Sequence, residues 1–255
     1  ARSGDSLTGS DMGGIVLLHE DAALLAIAKP PGRLVIPGRD AAEPSLREEL
    51  EAAHGRLWVV HRLDRGTSGV LLFARTAGAH RALNLAFDAG EPEKRYLALV
   101  RGAPPAEVRV DVPLAKGRKG RMRAARPGEA GAKPSATRFR TLETFAAPAL
   151  SGPFAWVEAL PETGRTHQIR VHLLALGTPL ALDPDYGEEG PLLRPDGRPW
   201  LERTPLHAER LRIRHPADGR VLELKAPLPG DLEAALEVLR SEAARVGAIP
   251  VAEAL

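Results

Sequence analysis

The sequence contains no cysteine, few aromatic residues and no long apolar run. Without cysteine the chain cannot form disulfide bonds, use a thiol nucleophile or hold a metal ion through thiolates. No apolar stretch approaches the roughly 20 residues that a membrane-spanning helix needs, and no signal-peptide pattern opens the chain. These absences predict a soluble, cytoplasmic protein with no membrane partner.

Positive charge is concentrated in one segment, although the net charge of the 255 residues is only +2. Residues 116–126 contain no acid, and their six basic residues are Lys116, Arg118, Lys119, Arg121, Arg123 and Arg126. A flexible basic loop with glycines can follow a phosphate backbone. A merely solvated loop has the same composition, so both interpretations stay open at this point.

Short apolar runs separated by turn residues predict more strands than helices. The predicted strands cover residues 14–20, 23–29, 57–60, 70–74, 94–100, 135–145, 154–160, 206–213 and 220–224. The predicted helices cover residues 45–54, 77–87, 166–176 and 232–246. Ser45 with Glu48 forms a capping-box pattern at the first helix, and Thr166 can cap the third. The pattern predicts an α/β (α+β) fold, with a mixed, largely antiparallel sheet and flanking helices.

No internal repeat and no clean linker divides the chain. We therefore expect a single domain over residues 14–246. A disordered leader over residues 1–13 and a tail over residues 247–255 are expected to flank it.

The first chemically informative motif is the run HRLDRGTSG at residues 61–69. Asp64 lies between Arg62 and Arg65 after an apolar strand, and neighbouring positive charges favour the ionised carboxylate. An ionised carboxylate suits a nucleophile or a general base. An acid that is salt-bridged in a tight turn would give the same isolated string. A kinase catalytic loop is excluded, because the order is His-Arg-Leu-Asp and no Asp-Phe-Gly or glycine-rich nucleotide loop accompanies it.

The second motif is KRYLALVRG at residues 94–102, which places one of only two tyrosines on a predicted strand among basic residues. The ring of Tyr96 can stack on a nucleobase while its hydroxyl handles a proton. Taken alone, the pattern favours an ordinary core tyrosine on an alternating strand.

The third motif is TGRTHQIRVHL at residues 163–173, where a glycine turn opens a predicted helix. Arg165 beside a helix N-terminus is suited to bind a phosphate or a carboxylate. His167 and His172 are five residues apart, which does not place them on one helix face, and no acid at metal-ligand spacing joins them. We therefore predict no metal site.

Together the three motifs resemble those of the RluA family of pseudouridine synthases. The matching family patterns are HRLDxxTSG, KxYxALVxG and TGRxHQIRxHL, and the resemblance covers roughly residues 14–230 in the expected order. It implies the pseudouridine synthase fold, with an active-site cleft across the sheet, and an RNA uridine isomerase that needs no cofactor. The enzyme would flip a uridine out of folded RNA, break the bond from N1 to the ribose and rejoin the base through C5.

The resemblance also implies roles for individual residues. Asp64 would be the catalytic carboxylate, Tyr96 would pack on the flipped base and help to remove the proton from C5, and Arg165 would pair with Asp64. The residues expected to contact RNA are Arg62, Arg65, Lys94, His167, Gln168 and Arg170, together with Arg118, Lys119, Arg121 and Arg123 of the basic segment. The expected partner is structured ribosomal or transfer RNA.

Many relatives carry a small RNA-binding module before the catalytic domain, and we expect none here, so RNA affinity would come from the catalytic domain itself. We also expect a monomer with no obligate protein partner. The rival hypothesis is an inactive RNA-binding protein or RNA chaperone of the same fold. A hydrolase that uses Asp64 is disfavoured, because no second carboxylate lies at a motif-like spacing to act as the acid.

Overall fold

The structure is a computed structural model, and it describes residues 11–12, 15–38, 43–117 and 121–247. The helices are α1 (Leu46–His54), α2 (Ala77–Asp88), α3 (Gln168–Ala175) and α4 (Gly230–Gly247). The strands are β1 (Asp11–Met12), β2 (Ile15–Glu20), β3 (Leu24–Lys29), β4 (Trp58–Val59), β5 (Ser68–Ala74), β6 (Glu93–Arg101), β7 (Glu107–Asp111), β8 (Leu114–Lys116), β9 (Met122–Ala124), β10 (Ala136–Ala147), β11 (Gly152–Pro161), β12 (Leu192–Leu193), β13 (Pro199–Leu201), β14 (Leu206–Arg214) and β15 (Val221–Lys225).

The chain forms two compact units, and the boundary between them falls inside β6. The first unit consists of the chain up to Tyr96 together with the later segment from His207 to Pro227. Its strands β1, β2, β3 and β5 pair antiparallel in that order. Strand β4 pairs with one end of β5, and β14 pairs in parallel with the other end, at Ser68 and Gly69. This arrangement fixes the end of β5 that directly follows the Asp64 turn.

Both faces of β3 and β5 are covered, which explains why these strands are apolar at successive positions. Leu25 and Phe73 pack with Leu46 and Leu50 of α1. The alternate residues of the same strands pack with Ala79 and Leu83 of α2. Since successive side chains of a strand point to opposite faces, α1 and α2 cover opposite faces of this sheet.

The second unit is built around the long antiparallel pair of β10 and β11. The strand order in this unit is β6, β11, β10 and β7. Helix α4 covers the pair through a core that includes Phe145, Phe154, Trp200, Leu232 and Leu236. Outside the core, Arg240 of α4 forms a bidentate ion pair with Glu143 of β10.

The predicted fold class is confirmed, since both units combine mostly antiparallel pairing with packed helices. Helix α1 has the complete capping box of Ser45 and Glu48. Sequence reasoning missed β7, the β12–β13 pair and the hairpin formed by β8 and β9. It also placed the start of α3 at Thr166, whereas the helix begins at Gln168 and His167 occupies the N-cap.

Of the predicted leader, only Asp11 and Met12 lie within the described residues, and of the predicted tail only Gly247 does. Asp11 and Met12 pair with Val16 and Ile15, and Gly247 ends α4. Among the described residues, no helix combines the length and apolar character that crossing a membrane requires.

Candidate active site

Asp64 lies in a tight turn between β4 and β5. The N–H of Thr67 donates to the carbonyl oxygen of Asp64 at 3.1 Å and closes the turn. Thr67 and Ser68 are buried, whereas the Asp64 side chain is only partly covered. Asp64 is therefore held on a buried base and is itself partly exposed.

Gly69 fixes the other end of this turn. Its φ of +119° is a conformation that residues with a side chain rarely adopt, and a Cβ there would lie 2.2 Å from the carbonyl oxygen of Ala208 on β14. Only glycine permits this close approach of β5 to β14. The glycine that ends the first motif is thus required by backbone packing.

Lys29 supports the Asp64 turn from below, a role that the sequence did not reveal. Only 1% of the residue is exposed, and its Nζ donates to the carbonyl oxygens of Pro30 (2.9 Å), Arg65 (3.1 Å) and Thr67 (2.8 Å). Gly32 adds a reciprocal pair, because its N–H donates to the Arg65 carbonyl and its own carbonyl accepts from Arg65 Nε. The only sequence signal for this support is a lysine that ends an apolar strand directly before Pro30-Pro31-Gly32.

Tyr96 lies on β6 and interacts electrostatically with Asp64. Burial, and then the negative charge of Asp64, raise the pKa of the Tyr96 phenol above its ordinary value. The phenol therefore stays protonated at neutral pH and can act as a hydrogen-bond donor. Of the predicted site residues, these two are brought together within the first unit.

His61, the first residue of the first motif, is a structural residue. Its Nε2 accepts a hydrogen bond from the N–H of Leu72, and its ring stacks on Phe87 at 5.3 Å. Burial and the positive charge of Lys94 lower the pKa of His61 to about 4, so the imidazole is neutral at physiological pH. Burial also lowers the pKa of Lys94.

Arg62 and Arg65 flank Asp64 in the sequence, and both are exposed. Arg65 Nε is bonded to the Gly32 carbonyl at 2.9 Å, so this side chain helps to hold the turn.

The third motif forms a turn between β11 and α3. Arg165 is exposed, and its Nε donates to the carbonyl oxygen of Pro134 at 3.3 Å. Its backbone N–H donates to Oε1 of Gln168 at 3.0 Å. The predicted cap at Thr166 is wrong, because His167 adopts a left-handed conformation with φ of 55° and the helix starts after it. The side chain of Gln168, which folds back onto the turn, takes the place of a cap.

The geometry does not favour direct RNA contact by Gln168 or Arg170, because both are buried. The Gln168 amide donates to Ala136 O and to Thr137 Oγ1. Arg170 forms a bidentate pair with Asp183 at 2.8 and 2.5 Å and a further bond to Asp185 at 2.7 Å. These bonds direct both side chains into the protein and support the turn that carries Arg165.

His167 and His172 take part in separate hydrogen-bond networks. His167 contacts the hydroxyl of Tyr186, whereas His172 is fully buried and bonded to Thr137, Ser135 and the Val112 carbonyl. Burial lowers the pKa of His172, which therefore remains neutral. The two rings serve separate parts of the second unit.

One group among the described residues has metal-ligand chemistry, namely His19, Asp21 and His215 in the first unit. Asp21 Oδ2 lies 2.9 Å from His19 Nε2 and 2.8 Å from His215 Nε2. The other oxygen accepts from the N–H groups of Ala23 and Leu24. Although burial raises it, the pKa of Asp21 is held far below its usual range by the hydrogen bond with His19, by the two backbone N–H groups and by the bond with His215. Hydrogen bonding accounts for the whole arrangement, which tethers the β2–β3 turn to the end of β14.

Within the basic segment 116–126, Lys116 of β8 pairs with Met122 of β9. Two of its predicted RNA contacts, Arg118 and Lys119, lie outside the described residues. Arg121 lies 3.7 Å from Asp185, and Arg123 forms a bidentate pair with Glu129. Acids from outside the segment therefore offset part of its charge.

Comparisons with known proteins identify the family. The sequence model of the RNA pseudouridylate synthase family matches residues 23–175, a range that contains Asp64, Tyr96 and Arg165. The dual-specificity RNA pseudouridine synthase RluA of Escherichia coli is 39% identical over 215 residues, which cover 84% of this chain and 93% of that protein. The chain belongs to the RluA family of RNA pseudouridine synthases.

Two other pseudouridine synthases are similar to this chain over most of its length. The ribosomal large subunit pseudouridine synthase D of Xanthomonas campestris is 36% identical over 243 residues, which cover 90% of this chain and 70% of that protein. The structure of human RNA pseudouridylate synthase domain containing 1 is 27% identical, with a TM-score of 0.69. The alignment with it covers 91% of this synthase and 97% of the human chain. The resemblance noted in the sequence is thereby confirmed, and the chain is an isomerase that acts on RNA.

Proposed function

We propose that this synthase converts particular uridines of ribosomal or transfer RNA to pseudouridine, with Asp64 as the catalytic carboxylate. The observation that carries the proposal is the construction of the Asp64 turn. Lys29, Gly32 and Gly69 hold its backbone, while the carboxylate remains partly open and close enough to Tyr96 to raise the pKa of that phenol. A rigid base under an accessible charged group is what a preorganised catalytic residue needs.

The reaction rearranges bonds within one nucleotide. The bond from ribose C1′ to N1 of uracil breaks, the base turns, and a bond from C1′ to C5 forms. C5 loses its proton and N1 ends protonated, so atoms and electrons balance without an oxidant or a reductant. Asp64 can serve this reaction by adding to the base, by attacking C1′ or by removing a ribose proton. Each of these roles needs the ionised carboxylate.

Tyr96 is proposed to pack against the extruded base. A base that leaves its stack loses aromatic contacts, and stacking on a protein ring replaces them. The raised pKa of Tyr96 means that the phenol meets the base as a neutral donor, so we do not assign it the role of a phenolate base. The third proposed catalytic residue is Arg165, whose pairing with Asp64 is implied by the family resemblance.

RNA is proposed to be held by exposed basic residues of both units. Arg62 and Arg65 lie at the Asp64 turn, and Lys116 and Arg121 lie on the basic hairpin. The name of the Xanthomonas relative supports ribosomal RNA as the substrate class. The family match runs across β6, where the two units meet along the chain, which supports one catalytic domain over residues 14–246. We further propose a cytoplasmic monomer that needs no protein partner.

Tritium release from RNA labelled at C5 of uridine tests this proposal. The wild type is expected to release tritium, and Asp64→Asn is expected to bind the RNA but release none. Asp88→Asn is the matched control, because it makes the same chemical change at an exposed acid at the end of α2. Retained binding with no release by the wild type would favour the inactive RNA-binding protein instead.

A further inference from the structure

Tyr186 links three segments of the second unit through one side chain. Its hydroxyl oxygen accepts the N–H of Met122 at 2.9 Å and lies 2.8 Å from Nδ1 of His167. The rings of Tyr186 and His167 meet edge to face at 5.5 Å, and the Arg170 guanidinium lies 4.9 Å from the centre of the Tyr186 ring. Tyr186 lies outside the three sequence motifs.

Met122 is the contact on the basic hairpin, which we define as the paired strands β8 and β9 with the adjoining Gly117 and Arg121. The two strands have three residues each, and such a short hairpin is marginally stable without further support. At its base, Leu114 exchanges backbone bonds with Lys133. Away from the base, the bond from Met122 to Tyr186 joins the hairpin to the rest of the unit, and Arg121 lies near Asp185 in the same segment.

His167 is the contact on the third motif, and its backbone is strained. A left-handed φ of 55° is unfavourable for a residue other than glycine, so surrounding contacts must hold it. Arg165 lies two residues earlier in the same turn, and its N–H is bonded to Gln168. The Tyr186 hydroxyl therefore steadies the turn that presents Arg165.

The position of Tyr186 is itself fixed by a buried ion pair. The backbone carbonyl oxygen of Asp183 accepts hydrogen bonds from the N–H groups of Tyr186 and Gly187. The carboxylate of Asp183 binds Arg170 of α3. Arg170 also binds Asp185. The turn over residues 183–187 is thus anchored to α3, and burial raises the pKa of Tyr186 so that its hydroxyl keeps its proton.

We propose that Tyr186 is a positioning residue that docks the basic hairpin beside the Arg165 turn, so that the hairpin cations and Arg165 engage one stretch of RNA backbone. The inference rests on the proposed RNA substrate. Loss of the hydroxyl removes the hydrogen bond that joins β9 to the turn over residues 183–187, and the cations of the hairpin are then held less firmly. Because the hairpin acts in RNA binding, the effect is expected mainly in affinity rather than in the chemical step.

Tyr186→Phe tests the inference, since it keeps the ring over which Arg170 lies and removes both hydroxyl bonds. We expect the Kd and KM for RNA to rise about three- to tenfold and kcat to stay within about threefold, as for the loss of one or two hydrogen bonds. Thr141→Val is the control. Thr141 lies on β10, away from the hairpin, and the substitution removes the hydrogen bond from its hydroxyl to the Pro105 carbonyl. Its Kd and KM are expected to match the wild type.

A double-variant comparison separates docking from a general structural effect. The second variant is Lys116→Gln/Arg121→Gln, which removes two exposed cations of the hairpin and should also weaken RNA binding. If Tyr186 acts through the hairpin, the variant that combines all three substitutions should bind RNA no more weakly than whichever of its two parent variants has the lower affinity. Additive losses would mean that Tyr186 acts elsewhere and would overturn the inference.

Hydrogen exchange at the Met122 amide gives a readout that needs neither RNA nor turnover. Exchange there should become at least about tenfold faster in Tyr186→Phe, while core amides of β10 and β11 keep the wild-type rate. Unchanged exchange, or an unchanged Kd, would contradict the docking role. Because these measurements do not depend on tritium release, failure of the isomerase assay would overturn the proposed reaction without deciding the role of Tyr186.

Discussion

Lys29 Nζ donates a hydrogen bond to the carbonyl oxygen of Thr67, 38 residues further along the chain, at 2.8 Å. Through this bond and a second one to Arg65, a buried ammonium group supports the backbone of the Asp64 turn. Three carbonyl oxygens surround a cation that is almost wholly removed from solvent. The shape of the turn therefore depends on a residue far from it in sequence.

Lys29→Met is expected to lower the free energy of unfolding by about 2–3 kcal/mol, because it leaves buried carbonyl groups without a donor. Activity should fall further than stability explains, since the Asp64 turn loses its support. Urea unfolding and tritium release measure the two effects. Lys225→Met, at an exposed position on β15, is the control, and its stability is expected to stay within about 0.5 kcal/mol of the wild type.

Gly69→Ala is expected to destabilise the protein by about 4 kcal/mol or to prevent folding. The new Cβ would meet the Ala208 carbonyl oxygen at 2.2 Å in a backbone conformation that alanine rarely adopts. Gly78→Ala in α2 has open space around the new Cβ and is expected to stabilise the protein by about 0.5 kcal/mol. Equal stability of the two variants in thermal unfolding would disprove the close approach of β5 and β14.

The stability of the protein should fall as the pH is lowered from about 6.5 to about 4, in part through His61. The folded protein keeps His61 neutral down to a pKa of about 4, whereas the unfolded chain takes up a proton near its ordinary value of 6.5. The unfolded state binds more protons in this window, so stability rises with pH there. The difference between wild type and His61→Gln should shrink by about 1–3 kcal/mol over this range. A difference that does not change with pH would refute the neutral buried imidazole.

Arg170→Gln distinguishes a supporting role from an RNA contact, because it removes both the bidentate pair and the positive charge. The buried Asp183 carboxylate loses the guanidinium that binds it, so we expect a loss of about 3 kcal/mol in the free energy of unfolding. If Arg170 only supports the fold, the salt dependence of RNA binding should keep its wild-type slope. Arg62→Gln, at an exposed site beside Asp64, should show the reverse pattern of reduced slope and unchanged stability. A reduced slope for Arg170→Gln would support the prediction that Arg170 contacts RNA.

Local signals predicted local structure well. The capping box of Ser45 and Glu48 forms at α1, and the apolar run of β5 forms a buried strand, because both depend on near neighbours. The family motifs located the segments of the candidate site for the same reason, since each motif is continuous in the sequence.

The features that sequence reasoning missed depend on distant contacts. The carbonyl partners of Lys29 lie up to 38 residues away, and the hydroxyl that holds β9 lies 64 residues beyond Met122. The start of α3 was misplaced because the left-handed backbone of His167 is set by tertiary contacts. The pair of Arg170 with Asp183 could not be predicted, because Asp183 lies outside the motif that contains Arg170.

The rate of tritium release in a single turnover, with enzyme in excess over labelled RNA, addresses the role of Asp64 without interference from product release. For Asp64→Asn we predict a rate at least about 1,000-fold below the wild type, together with an RNA Kd within about threefold of it. Release by Asp64→Asn at a rate close to that of the wild type and of Asp88→Asn would show that the carboxylate of Asp64 does not carry the reaction.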